Sequence, residues 1–395
     1  MLKHRLSSDV LIALGVGAAV LLVTWMLGEG FFELRPIRLA FDTIDLTVYF
    51  RQSEWTPSEG ELPFRDTFSE YPLAANLMFR AVRFLSDHLP AFSDPFKSFS
   101  WWWMGIAGVG YGFGAAKLTK EGWLPLAAWL SPAVLYCSAL RFDLYPALAT
   151  LLALWAIREE RYRSGALWLG LCIAIKGYAA IALPAFGVFL VYRVGFRRAL
   201  GLSALAVAPM VISLLLVWLY AGLDGALMPF RWHADRQYNE ESTWVAFDTL
   251  FRGGATNLFE QMRLARLPTL IQIGFGLLAA ALRPKTFDQL VHAFLVAITG
   301  FAVASVFHSP QFALWIVAVA VFATNRYTLV LAIALGWLSY LYFPILFDLR
   351  EHPLRPDQVR GAYELSILGL VVLKLLLMFR PRLPRRAPQE QAAST

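Results

Sequence analysis

The chain has 395 residues, of which 58% are hydrophobic and 16% charged, and its mean hydropathy is +0.54. A soluble domain carries about 25% charged residues, so a water-soluble globule is excluded, and the continuous rather than alternating apolar runs exclude a transmembrane β-barrel. The net charge of +7 would suggest nucleic acid in a soluble protein; here its placement along the chain decides what it means.

A helix that crosses a bilayer takes about 20 mostly apolar residues. Apolar runs occupy residues 10–27, 98–116, 122–138, 144–157, 165–175, 179–192, 200–221, 267–282, 290–307, 312–324, 327–347 and 362–379. They predict an all-α polytopic membrane protein with about twelve transmembrane helices in one domain, residues 1–379. The first run follows Lys3 and Arg5 as a signal peptide would. It is longer than an ordinary signal core and many runs follow it, so it is expected to stay as the first helix. The 14 Trp, 14 Tyr and 30 Phe exceed what core packing needs, and Trp101, Trp102 and Trp103 read as an interfacial anchor.

Alternate connections carry Lys117 and Lys120, then Arg158, Arg161 and Arg163, then Arg193, Arg197 and Arg198, then Arg283 and Lys285, Arg326, and finally Arg380, Arg382, Arg385 and Arg386. With Lys3 and Arg5 these are seventeen of the 35 Lys and Arg, against six acids on the same side: Asp9, Glu121, Glu159, Glu160, Asp288 and Glu390. By the positive-inside rule that face is cytoplasmic, both termini with it, which implies a multi-pass plasma (inner) membrane protein. The other face, toward the periplasm or exterior, is net acidic and holds two long loops, residues 28–97 and 222–266.

Within the first loop, residues 73–89 are apolar but interrupted by Arg80 and Arg83, which predicts a helix lying along the interface rather than another crossing. Residues 244–262 read the same way. The tail, residues 380–395, is basic, contains proline and is expected to be disordered. Cys137 and Cys172 lie in apolar stretches without a CxxC or a Cys/His cluster, so neither a disulfide framework nor a zinc site is expected.

Charged residues at the ends of apolar helices are functional suspects. On the outer face these are Asp42 and Asp45, Glu70 with Tyr71, Arg141 with Asp143, Lys176, the group His233, Asp235, Arg236, Glu240 and Glu241, and His308 beside Gln311. Each has a plainer reading. The two aspartates read also as solvated loop acids, Lys176 as a lysine snorkelling to the interface, and His308 as a polar helix end. Arg141 with Asp143 reads equally as an ion pair or a substrate contact, and Arg236 with Glu241 as a local pair or as ligands. Carboxylates and cations gathered from several helices suit transfer between a lipid-borne donor and an acceptor outside the cytoplasm, a base taking the hydroxyl proton and cations holding a phosphate leaving group.

The runs Asp45-Leu46-Thr47-Val48-Tyr49, Tyr71-Pro72-Leu73, Arg141-Phe142-Asp143, Gly170-Leu171 to Lys176-Gly177-Tyr178, Arg236 to Glu241-Ser242 and Ser309-Pro310-Gln311 occur in an order that resembles the GT-C superfamily of membrane glycosyltransferases. Within it the chain is most similar to glycosyltransferase family 87, the polyprenyl-phosphate-sugar-dependent mannosyl- and arabinofuranosyltransferases. The likeness runs from about Asp45 to Trp315. Tyr71-Pro72-Leu73 lacks a second proline often seen there, and Phe312 stands where a hydroxylated aromatic is common.

The resemblance implies GT-C architecture and an inverting transfer in which Asp45 is the catalytic base. With it, Asp42, Tyr71, Arg141, Asp143, Lys176, Arg236, Glu241, His308 and Gln311 are the candidates for binding the donor and substrate. The implied reaction moves mannose from polyprenyl-phosphate-mannose to a glycolipid or lipid-linked glycan of the cell envelope; arabinofuranose is the alternative sugar, and a lipid or sugar transporter or flippase the alternative class. The implied partners are a lipid-linked sugar donor, a glycolipid or glycan acceptor and membrane lipids, with no nucleic acid. No cofactor and no metal are expected, since a lipid monophosphate leaves little charge to neutralise.

Overall fold

A computed structural model describes residues 8–28, 44–54, 61–236, 238–239, 242–245, 266–349 and 356–379. The described residues form an all-α protein. Taken in chain order the helices are α1 (Ser8–Gly28), α2 (Ile44–Gln52), α3 (Leu73–His88), α4 (Pro95–Leu118), α5 (Trp123–Trp129), α6 (Pro132–Leu140), α7 (Leu144–Arg158), α8 (Tyr162–Ile175), α9 (Leu183–Val194), α10 (Phe196–Ala234), α11 (Leu267–Ala281), α12 (Phe287–Ala304), α13 (Phe312–Ala320), α14 (Arg326–Tyr340), α15 (Phe347–Leu349) and α16 (Pro356–Met378). Five are long and apolar enough to cross a membrane, or six with the bent pair α5 and α6. This is the make-up of a multi-pass membrane protein.

Every apolar run of the sequence overlaps a helix, but α7, α8, α11 and α13 have only 15, 14, 15 and 9 residues, so among the described residues five or six helices reach spanning length where about twelve spans were expected; other departures have local causes. Residues 122–138 break into α5 and α6, bent by 46°. Pro132 opens α6 and pushes Ser131 before it to extended backbone (φ −64°, ψ 149°). In the same way Phe343, before Pro344, is extended inside the π-helical turn Leu341–Leu346 that follows α14. Helix α10 turns at Gly222, whose φ of +71° suits a residue without a Cβ, so the apolar half is followed by an arm over residues 223–234.

The predicted interfacial helix is α3, ending one residue earlier than expected. It buries Ala75, Phe79 and Val82, while Arg80 donates to the Ser53 carbonyl (3.2 Å) and Arg83 lies 4.5 Å from the Phe50 ring. Both arginines therefore fix α3 against α2. Of the second predicted interfacial helix only Trp244 and Val245 belong to the described residues, and the tail at 380–395 lies outside them.

The two ends of the bundle differ in chemistry. At one end Arg158 makes a two-pronged pair with Glu121 (2.8 and 2.7 Å) and lies over Phe322, Arg193 pairs with Glu160, Lys285 lies over Tyr192, and Thr324 donates to Asp288 (2.6 Å). The connections grouped from their Lys and Arg content thus meet one another in space. Arg158 holds the Glu121 carboxyl below its usual range, chiefly through these hydrogen bonds.

Candidate active site

The opposite end gathers the acids and cations. Asp45 sits in the first turn of α2, where the free backbone N–H groups favour a carboxylate. One turn later Tyr49 donates to Asp45 Oδ2 (3.3 Å) and accepts from the Phe142 N–H (3.4 Å). The Tyr49 ring stacks on Phe79 (4.8 Å between centroids) and touches Trp103, Tyr71 and Phe142. This aromatic packing fixes α2, and with it Asp45. Burial raises the Tyr49 hydroxyl well above the phenol range, with Tyr71 and Asp143 adding to the effect, so it stays a neutral donor.

Arg141 ends α6 in extended backbone and is nearly buried; its guanidinium forms an ion pair with Asp45. The pairing read from the sequence, Arg141 with Asp143, is not the one formed. Asp143 is fully buried at the start of α7, and its Oδ1 accepts from Lys176 Nζ and from Trp315 Nε1, each at 2.7 Å. Lys176 follows the last turn of α8. Its ammonium lies 4.4 Å from the centroid of Phe142 and 5.0 Å from that of Trp315. The 3₁₀ turn Gly177–Ala182 then brings Tyr178 flat against Trp315, 4.1 Å away. Lys176 is thus a paired cation, and among the described residues Asp143 Oδ2 is a buried acceptor without a hydrogen-bond partner.

Glu70 and Tyr71 stand in a turn before α3, which the buried Asn76 holds by donating to Ser69 Oγ (2.8 Å), the Tyr71 carbonyl (2.7 Å) and the Pro72 carbonyl (3.1 Å). Glu70 accepts from Trp232 and from Arg236, both at 3.1 Å, and Arg236 lies 4.6 Å from the centre of Phe307. The arm after Gly222 thereby delivers Arg236 to the site, and its acid partner is Glu70. Burial and then the neighbouring Glu70 carboxylate hold the Tyr71 hydroxyl well above the phenol range.

His308 lies between α12 and α13, its backbone clamped on both sides by Asn239, which accepts from the His308 N–H (2.8 Å) and donates to its carbonyl (2.7 Å). The His308 ring is buried against Phe312 and Tyr342, next to Lys374 of α16. Phe312 in turn touches Trp315 (4.6 Å between centroids), so one aromatic layer separates His308 from the group around Asp143. Gln311 is half-buried before α13, His233 and Asp235 are exposed, and Asp42, Glu240 and Glu241 lie outside the described residues.

Sequence reasoning missed Trp315 and Lys374. A lysine within the apolar run 362–379 was a signal of the same kind as Lys176. Among the described residues no three His, Cys, Asp or Glu side chains come together as a metal site. The arrangement can therefore offer a carboxylate as base, hydrogen-bond acceptors for hydroxyls and fixed cations for an anionic group. Comparison with protein-family models gives no match, and comparison with curated protein sequences gives none either.

Proposed function

We propose that the chain is an inverting membrane glycosyltransferase of GT-C architecture that spans the bilayer about twelve times with both termini in the cytoplasm. It moves mannose from polyprenyl-phosphate-mannose to a glycolipid or lipid-linked glycan at the outer face. The observation that carries this reading is the meeting of Asp45, Glu70, Arg141, Asp143, Lys176 and Arg236, from separate segments, at the end of the bundle opposite the basic connections.

Helix lengths supply the depth. Helices α7, α8 and α13 have 15, 14 and 9 residues; at 1.5 Å per residue they rise about 22, 21 and 14 Å, short of a core about 30 Å thick. On the proposed topology Asp143, Lys176 and Gln311 stand at the outer ends of these short helices, where the reading puts the phosphate of a lipid carrier next to a polar acceptor.

In the proposed reaction Asp45 takes the proton of the acceptor hydroxyl as that oxygen attacks the anomeric carbon and the bond to the phosphate oxygen breaks. Among the described residues the Tyr49 and Arg141 contacts of Asp45 both fall on Oδ2, and the proposal gives Oδ1 the proton. Polyprenyl phosphate departs with the bonding pair, and cations close to it favour the transition state because its negative charge grows as the bond breaks. Lys176 and Arg236 are the cations proposed for that role, with His308 as a hydrogen-bond partner of the donor and Asp143 and Tyr71 aligning the substrate.

Purified protein given short-chain polyprenyl-phosphate mannose or arabinofuranose, a glycolipid acceptor and EDTA tests the reading, with mass spectrometry of the product. Transfer of mannose supports it, transfer of arabinofuranose only would change the sugar, and donor movement across vesicles without transfer would favour the flippase.

A further inference from the structure

At the basic end of the bundle the acids are taken up by their neighbours. Arg158 holds Glu121, Arg161 holds Glu159, Arg193 holds Glu160, and Asp288 accepts from Thr324. Arg197, Arg198 and Lys285 are left over. All three are exposed, and among the described residues none has a carboxylate within ion-pair distance.

Two connections bring these cations to one place. Gly195, with a φ of +80°, turns the chain from α9 into α10, so Arg197 and Arg198 open α10 a few residues from Tyr192 at the end of α9. Helix α9 packs against α11 and α12, and Lys285, in the connection between those two helices, lies 5.1 Å from the centroid of Tyr192. That connection is held in shape: the Lys285 and Thr286 N–H groups both donate to Gln289 Oε1 (2.8 and 3.2 Å), and Pro284 is buried. Beside the cations the same helices expose apolar side chains, Phe196 and Leu200 on α10 and Leu278 on α11. Leu200 and Leu278 stand about one turn inward from the helix ends, so the surface passes from cations to hydrocarbon along its length.

We propose that this patch, Arg197, Arg198 and Lys285 around Tyr192, binds the headgroup of an anionic phospholipid in the leaflet at the basic end. A guanidinium presents parallel N–H groups that match phosphate oxygens, a lysine adds a compact charge, and a tyrosine ring suits the headgroup level. Basic sites between transmembrane helices recognise anionic headgroups in this way. The exposed Leu200 and Leu278 give the acyl chains an apolar wall, which a soluble phosphate would not use. The site lies at the opposite end from the aspartates and does not depend on the reaction proposed there.

Native mass spectrometry of the full chain, released from detergent with phosphatidylglycerol, cardiolipin or phosphatidylethanolamine, tests the proposal. The wild type is expected to retain the two anionic lipids and to lose phosphatidylethanolamine. Each Lys or Arg near an anionic surface contributes about a fivefold factor, so the triple variant Arg197→Gln, Arg198→Gln, Lys285→Gln should hold the anionic lipids about a hundredfold more weakly. The triple variant Lys117→Gln, Lys120→Gln, Arg326→Gln removes the same charge from other connections of that end and should bind as the wild type does. Exchange of charge for charge, Arg197→Lys with Arg198→Lys, should keep most of the binding and separates loss of the site from loss of the fold. Equal weakening in the two Gln variants would reduce the effect to general attraction and overturn the site. Equal retention of phosphatidylethanolamine, or inorganic phosphate bound as tightly as the lipids, would overturn it as well.

Discussion

Replacing Lys176 with methionine keeps most of the side-chain volume and removes the charge from the most deeply set ion pair of the site. Asp143 is 0% exposed, while the Lys176 side chain keeps 21% exposure. In the variant the carboxylate loses its 2.7 Å ammonium contact and, among the described residues, keeps the Trp315 N–H. Breaking a buried pair from one side costs about 3–5 kcal/mol, and the partial exposure of Lys176 places the expected loss near the lower figure, about 3 kcal/mol. The double variant Lys176→Met, Asp143→Asn removes both charges and leaves an amide oxygen for Trp315, so most of that loss should return. Cys137 and Cys172 are the only cysteines and both are buried, so a thiol-reactive dye reports thermal unfolding in detergent directly. Lys176→Met is expected to melt several degrees below the wild type and the double variant between the two. Equal melting of the single variant and the wild type, or no recovery in the double variant, would refute the reasoning. The double variant should remain almost inactive, since restored stability does not restore the cation.

Further expectations concern the base, the topology and the basic end of the bundle. Asp45→Asn should lower transfer by orders of magnitude with the melting temperature little changed, and Asp42→Asn should do less; the opposite ranking would move the base to Asp42. Cysteines at Glu54, Ser93 and Ala234 should react with an impermeant reagent from outside and one at Arg163 should not, and labelling of Glu54 and Ser93 from opposite sides would make α3 a crossing. A cysteine at Gly225 suits this experiment poorly, because a Cβ there would lie 2.8 Å from the Phe64 carbonyl. The lowered Glu121 carboxyl stabilises the fold above the ordinary glutamate pKa of about 4.3 and loses that contribution as pH falls through its folded value. Glu121→Gln should therefore flatten the acid side of a melting-temperature profile, and an unchanged slope would show that the Arg158 pair adds nothing.

Hydrophobic runs and the alternation of basic connections were legible because both are local: a span needs its own apolar residues, and charges next to it decide its orientation. The partners of the charges were not, because pairing depends on which helix ends come together. Arg141 and Asp143 are two residues apart, yet one closes α6 and the other opens α7, and each meets a residue from a distant segment, Asp45 or Lys176. Arg236 likewise bypasses its sequence neighbours for Glu70, because the turn at Gly222 carries the arm back over the first loop. Lys374 was hidden by averaging, since one lysine hardly alters the apolar character of the eighteen residues Gly361–Met378, which remain apolar enough to cross a membrane.

The most direct measurement is turnover by the purified protein in proteoliposomes, with polyprenyl-phosphate-mannose and a glycolipid acceptor, for the wild type and Asp45→Asn side by side. The account predicts a mannosylated lipid with inverted anomeric configuration from the wild type and almost none from the variant, at equal protein fold and insertion. A product of retained configuration, or equal product from both proteins, would contradict it.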